Sequence, residues 1–80
     1  MNVEVRLHGT LIAARTGLRA GEPFPVEVPE GATVSDLVLK VALASEEVHL
    51  VMVNGRIVHN RATRLEDRDR VGLFPPVGGG

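Results

Sequence analysis

Three glycines, Gly78-Gly79-Gly80, close the sequence after the apolar run Val71-Gly72-Leu73-Phe74-Pro75-Pro76-Val77. Their type and spacing suit one kind of chemistry. Glycine has no side chain to add to a core, and it keeps the most backbone freedom of any residue. The pattern therefore predicts a thin, mobile end on a rigid body. Its reactive group would be the main-chain carboxylate of Gly80, fed down a channel too narrow for a Cβ atom. Pro75 and Pro76 would stiffen the root of that tail, so that less entropy is lost on insertion. The competing reading is a frayed terminus with no task.

Other residue types that could do chemistry point nowhere in particular. His8, His49 and His59 match no metal-ligand spacing and read as scattered surface histidines, so no metal is expected. Asp36, Glu46 and Glu47 could serve as acids or bases, but nothing in the sequence pairs or buries them. No phosphate-cradling glycine loop follows a strand, so the chain itself is not expected to bind ATP. With no cysteine there is neither a thiolate nucleophile nor a disulfide. Arg56, Arg61, Arg64, Arg68 and Arg70 are interleaved with Glu66, Asp67 and Asp69, a mixed-sign solvated surface. A net charge of −1, with Phe24 and Phe74 as the only Phe, Tyr or Trp residues, argues against nucleic acid. No apolar stretch is long enough to cross a bilayer and no leader pattern opens the chain, so a cytoplasmic protein is expected.

The 80 residues allow one domain, and 44% hydrophobic content rich in Val and Leu can supply its core. Val3, Val5 and Leu7 alternate with Glu4, Arg6 and His8, the period of a half-buried strand. A long connection over 9–22 leads to a second alternating run at Phe24, Val26 and Val28, completing an antiparallel hairpin. Within that connection, residues 11–14 could extend the first strand or form a short turn. Thr33 precedes Asp36 by three residues, an approximate capping box. Val34, Leu37, Val38 and Val41 follow at helical spacing, which predicts an amphipathic helix over about 34–44. Leu39 and Leu43 fall on its opposite face, where a covering loop is expected ahead of the alternative, the docking of a partner. Asn54-Gly55 between Leu50–Val53 and Arg56–Val58 is the strongest hairpin signal available. The run 65–69 forms a polar turn before a last strand, 70–74, which the prolines stop. Val71 and Leu73 would face the core and Phe74 the other side, together with either Leu50 and Met52 or Val51 and Val53.

The order is ββαβββ, so the economical α+β arrangement is a mixed sheet with one helix packed across it. The first and last strands should run parallel at its centre, joined by the crossover that contains the helix. This order with a Gly-Gly end resembles the ubiquitin-like β-grasp fold. Within it the chain is similar to the bacterial sulfur carriers, above all the molybdopterin synthase small subunit. The resemblance rests on Val3-Glu4-Val5-Arg6-Leu7, the run Glu30-Gly31-Ala32-Thr33-Val34-Ser35-Asp36-Leu37, Val53-Asn54-Gly55 and Leu65-Glu66-Asp67-Arg68-Asp69-Arg70-Val71. Most specific is Leu73-Phe74-Pro75-Pro76-Val77-Gly78-Gly79-Gly80. Two positions depart from the pattern. The family often has glycine where Arg68 stands, which puts the usual turn geometry in question. Gly78 is commonly Ala or Ser in the molybdopterin branch, whereas a Gly-Gly-Gly end is more usual in the thiamine-pathway carrier, a generally shorter protein without the Pro-Pro pair.

The resemblance implies a β-grasp domain at 1–74 and a flexible tail at 75–80. It implies a carrier that is no enzyme on its own but the co-substrate, or small subunit, of a sulfurtransferase. A partner adenylyltransferase of the ubiquitin-activating type would use ATP and Mg²⁺ to adenylate the Gly80 carboxylate. A sulfur donor protein would convert the adenylate to a thiocarboxylate, and the molybdopterin synthase large subunit would hold the acceptor. Pro75, Pro76, Val77, Gly78 and Gly79 would insert with the tail, while Phe74 would anchor partner subunits. The thiamine pathway, and a ubiquitin-like modifier forming isopeptides with lysines, remain open beside this reading.

Overall fold

The computed structural model describes residues 1–14, 19, 21–41 and 45–76. The alternation at the start of the chain becomes β1 (Asn2–Leu7), with Val3, Val5 and Leu7 buried. Strand β2 (Phe24–Glu27) pairs antiparallel with it, Val26 opposite Val3. Helix α1 (Val34–Lys40) follows, then β3 (Leu50–Val53), β4 (Arg56–Val58) and β5 (Arg70–Phe74). The sheet order is β2-β1-β5-β3-β4. Strands β1 and β5 lie parallel at its heart, Val5 beside Val71 and Leu7 beside Leu73. This is the mixed sheet expected from the sequence. Residues 11–14 do not extend β1; they belong to a 3₁₀ turn, Gly9–Ala14.

Helix α1 begins where its backbone donors can be satisfied. Thr33 Oγ1 accepts from the Asp36 N–H at 3.2 Å, and Asp36 Oδ2 accepts from the Thr33 N–H at 2.9 Å, a full capping box. The Val34 and Ser35 N–H groups donate to the carbonyls of Thr63 and Arg61 at 3.0 and 2.9 Å. The segment that follows β4 thereby ties down the first turn of the helix. Val34, Leu37, Val38 and the capping residue Val41 then pack on Val5, Leu7, Val51, Val71 and Leu73 in one cluster. Each such fully buried Val or Leu contributes about 1.5–3 kcal/mol relative to exposure.

Regular α-helix stops at Lys40, short of the expected 34–44; residues 42–44, including Leu43, lie outside the described residues. Leu39, expected under a loop, is instead 70% exposed. Its place in the helix sets it opposite the buried stripe.

Among the described residues, non-glycine residues take positive φ in two turns. Asn54 and Gly55 have φ of 52° and 83°, the pair a type I′ hairpin needs. Arg68 has φ of 68°, so the turn before β5 keeps the left-handed geometry glycine would take and makes arginine adopt it. That turn is held by the Arg68 N–H donating to the Asn2 carbonyl at 2.6 Å and the Asn2 N–H donating to Asp67 Oδ1 at 2.9 Å.

Candidate docking face and tail root

Because strand side chains alternate, the sheet face that α1 leaves free is fixed by register. Leu50 pairs with Phe74, Met52 pairs with Gly72 on one side and Ile57 on the other, and Arg6 pairs with Gly72. The outward residues are therefore Leu50 and Met52, while Val51 is buried and Val53 packs against the core. Ile57 is 51% exposed on the same face. Together with Phe74 they form an apolar band across β3, β4 and β5. A shallow depression of about 330 Å³ lies within it, bordered by Arg6, Met52, Asn54, Arg70, Gly72 and Phe74. Arg6 also meets Glu4 Oε1 at 3.2 Å, but both side chains are well exposed and such a pair adds little stability. The face thus offers apolar contact with cationic groups beside it, a composition suited to a protein partner.

At one end of this face the tail begins. Phe74, the expected anchor, is half-buried with its ring folded back over β5. A Cβ on Gly72 would stand 3.2 Å from Phe74 Cε1, so a strand glycine is what lets the ring lie there. The imidazole of His8 stacks on Phe74, ring centroids 4.2 Å apart and planes 6° from parallel. Gly21, with φ of 74°, also lies close to His8; a Cβ there would be 3.5 Å from His8 Cε1. The backbone is pinned as well: the His8 N–H donates to the Leu73 carbonyl at 3.1 Å and the His49 N–H to the Phe74 carbonyl at 2.8 Å. Pro75 then rests on Gly9, whose φ is 57° and whose absent Cβ would approach Pro75 Cγ to 2.8 Å. Pro76 is exposed. Val77, Gly78, Gly79 and Gly80 lie outside the described residues.

Sequence reasoning missed His8, Gly9, Gly21 and Gly72 as parts of this root. A glycine inside the β5 pattern was the available signal, since it marks a close approach in a strand. The other candidates are placed elsewhere. Asp36 is used up by the helix cap, and Glu46 and Glu47 are exposed in a 3₁₀ turn, Ser45–Glu47. Among the described residues no three histidine or carboxylate side chains gather where they could hold a metal.

A model of the ThiS family matches residues 13–80. The chain belongs to the ThiS family. Three solved structures put this ThiS-family chain among small β-grasp proteins. SAMP1 from Haloferax volcanii is 26% identical with a TM-score of 0.73, each chain covered in full. The HVO 2177 protein of the same organism is 29% identical at a TM-score of 0.73, with all of this chain and 87% of that one covered. Subunit 1 of the Helicobacter pylori molybdopterin-converting factor, solved in a complex of subunits 1 and 2, is 26% identical at a TM-score of 0.62, each chain covered in full. No curated protein matches. The ThiS-family chain is thus a small ubiquitin-like protein of the sulfur-carrier or modifier kind. Among its described residues no helix is long and apolar enough to cross a membrane.

Proposed function

We propose that this chain is a sulfur carrier acting as the small subunit of a molybdopterin synthase-like sulfurtransferase, with the Gly80 carboxylate as its reactive group. The observation that carries the reading is the anchored root. Phe74 and Pro75 are clamped at the edge of an open apolar face, immediately before the glycine run. A partner docked on that face receives the tail from a fixed point and direction, so the entropy lost on insertion is confined to the last residues. The β-grasp body then acts as a handle, and residues 75–80 act as the inserted tail.

A carboxylate is a poor electrophile because oxide is a poor leaving group. A partner adenylyltransferase, using ATP and Mg²⁺, would convert Gly80 to an acyl-adenylate. The sulfur of a donor persulfide would attack the acyl carbon and displace AMP, and reduction of the sulfur–sulfur bond by a thiol would leave the thiocarboxylate. All reacting atoms of this chain are main-chain atoms, which lets a protein without cysteine carry sulfur. The similarity to a subunit 1 solved in complex with its subunit 2 supports a large-subunit partner for this chain also. The test is Gly79→Val. Loss of sulfur transfer with the fold intact supports a tail threaded through a narrow channel, and transfer at the normal rate contradicts it.

A second reading has its own support, since Haloferax volcanii SAMP1, a fold-level match, is described as a small archaeal modifier protein. In that reading the same adenylate is captured by a lysine amine. Higher-mass conjugates that vanish on removal of Gly80 would favour it.

A further inference from the structure

On the sheet face that α1 leaves open, the depression of about 330 Å³ at Gly72 is bordered by two guanidiniums, Arg6 and Arg70, and by no carboxylate. Register brings them together. Arg6 lies beside Gly72 on the parallel β1–β5 pair. Arg70 precedes Gly72 by two residues, so its side chain leaves β5 on the same face. Gly72 has no side chain to fill the space between them. Met52, its partner on β3, and the ring of Phe74 supply apolar walls.

The polar side chains here are either spent or donors. Asn54 is spent: its Nδ2 donates to Asp69 Oδ1 and its Oδ1 accepts from the Arg70 N–H, both at 2.9 Å. Asp69 is buried and also accepts from the Glu66 N–H at 2.8 Å. The Arg70 backbone is clamped on both sides, since its carbonyl accepts from the Asn54 N–H at 2.8 Å. Yet among the described residues the Arg70 guanidinium makes no hydrogen bond or ion pair. Arg6 gives two N–H donors to Glu4 Oε1, at 3.3 and 3.2 Å, and keeps its others. Glu4 stands beside Arg70 in register but outside the depression. A guanidinium has donors and no acceptor, so the missing partner is an acceptor, and a carboxylate matches its fork best.

We propose that the depression at Gly72 receives a side-chain carboxylate of the docked protein partner, bridged between Arg6 and Arg70. The inference rests on the docking face proposed above and adds what the partner presents there: an aspartate or glutamate set in an apolar patch. A protein is the occupant because two exposed guanidiniums in a shallow site hold a free anion only weakly in water. A partner whose apolar groups cover Met52, Ile57 and Phe74 excludes that water, and the same charges then interact more strongly. Charge pairs of this kind also fix register, so the tail root at Phe74 is presented in one orientation.

The single lysine of the chain, Lys40, lies in α1 on the other side of the sheet, so an amine placed on the open face reports on that face alone. The probe is the molybdopterin synthase large subunit of the same organism, mixed with the full-length chain. Arg6→Gln and Arg70→Gln should each weaken binding about tenfold or more in titration calorimetry, with affinity that depends less on salt. Both side chains are exposed, so the melting temperature should stay near that of wild type. Carbodiimide treatment of the complex made with Arg70→Lys should join the new amine to an aspartate or glutamate of the large subunit, a cross-link that wild type lacks. Unchanged affinity in both glutamine variants, or binding without that cross-link, would overturn the proposal. So would saturable binding of AMP or inorganic phosphate at Arg6 and Arg70 of the chain alone, which would make this a small-anion site. A large subunit that does not bind the wild-type chain is a different result: it would overturn the small-subunit reading, and this inference with it.

Discussion

The imidazole of His8 lies flat against the ring of Phe74, centroids 4.2 Å apart and planes 6° from parallel. One residue follows the end of β1 and the other ends β5, so the stack staples the central parallel pair where the tail departs. Stacked aromatic pairs contribute about 0.5–1.5 kcal/mol beyond their burial. His8→Ala should therefore lower unfolding stability by about that amount and shift the ring proton resonances of Phe74. His8→Phe should restore both. A Phe74 ring unmoved in His8→Ala would show that the stack does not hold it.

Gly9 is the seat of Pro75. Gly9→Ala places a methyl 2.8 Å from Pro75 Cγ on a backbone of φ 57°. The left-handed angle alone costs a non-glycine residue about 1–2 kcal/mol. A fall in the denaturation midpoint of at least that size is expected, together with altered backbone resonances at Pro75 and Pro76. An unchanged midpoint would contradict the seat.

Arg68 is strained in the opposite sense. Its φ of 68° is costly for arginine and free for glycine. Arg68→Gly should raise stability by about 0.5–1 kcal/mol, the relief at φ exceeding glycine's larger entropy loss on folding. Urea denaturation of the two proteins decides it, and a lower midpoint for Arg68→Gly would reverse the sign.

Asn54 does more than turn the hairpin. Its Nδ2 donates to Asp69 Oδ1 at 2.9 Å and its Oδ1 accepts from the Arg70 N–H at 2.9 Å, joining the β3–β4 hairpin to the start of β5. Asn54→Gly keeps the turn but leaves Asp69, a mostly buried carboxylate, with one donor fewer. A loss of about 1–3 kcal/mol is expected. A neutral substitution in thermal melts would show that the turn angle alone selects asparagine.

The apolar band is the proposed docking face. Ile57 is 51% exposed, so Ile57→Asp should leave the melting temperature within a few degrees of wild type while weakening capture of a large-subunit partner about tenfold or more. Equal binding by wild type and variant in titration calorimetry would place the partner elsewhere.

Much of this was legible in the sequence because the signals were local. The alternation of Val3, Val5 and Leu7, the Thr33–Asp36 cap and the Asn54-Gly55 turn each act within a few residues, and each became the element expected. Residue type alone singled out Phe74, Pro75 and Pro76, whereas the ring stack on Phe74 and the seat of Pro75 on Gly9 came only with the fold. What was missed depends on register. His8 meets Phe74 only because β1 and β5 run parallel with Leu7 beside Leu73, and Asn54 meets Asp69 across a separation of 15 residues. Leu39 was expected to be covered because a large apolar residue favours burial, yet a single short helix has one buried stripe and Leu39 is off it. Gly9 and Gly72 read as loop and strand glycines until their neighbours were known.

The central claim is that Gly80 carries sulfur. The most direct measurement is the intact mass of the full-length chain after incubation with ATP, Mg²⁺, a sulfur source and a bacterial extract, beside a variant lacking Gly80. A mass gain matching one oxygen replaced by sulfur, present only in the full-length chain, is the predicted result. A full-length chain that stays at its original mass while lysine-linked conjugates accumulate would contradict it and make this protein a modifier.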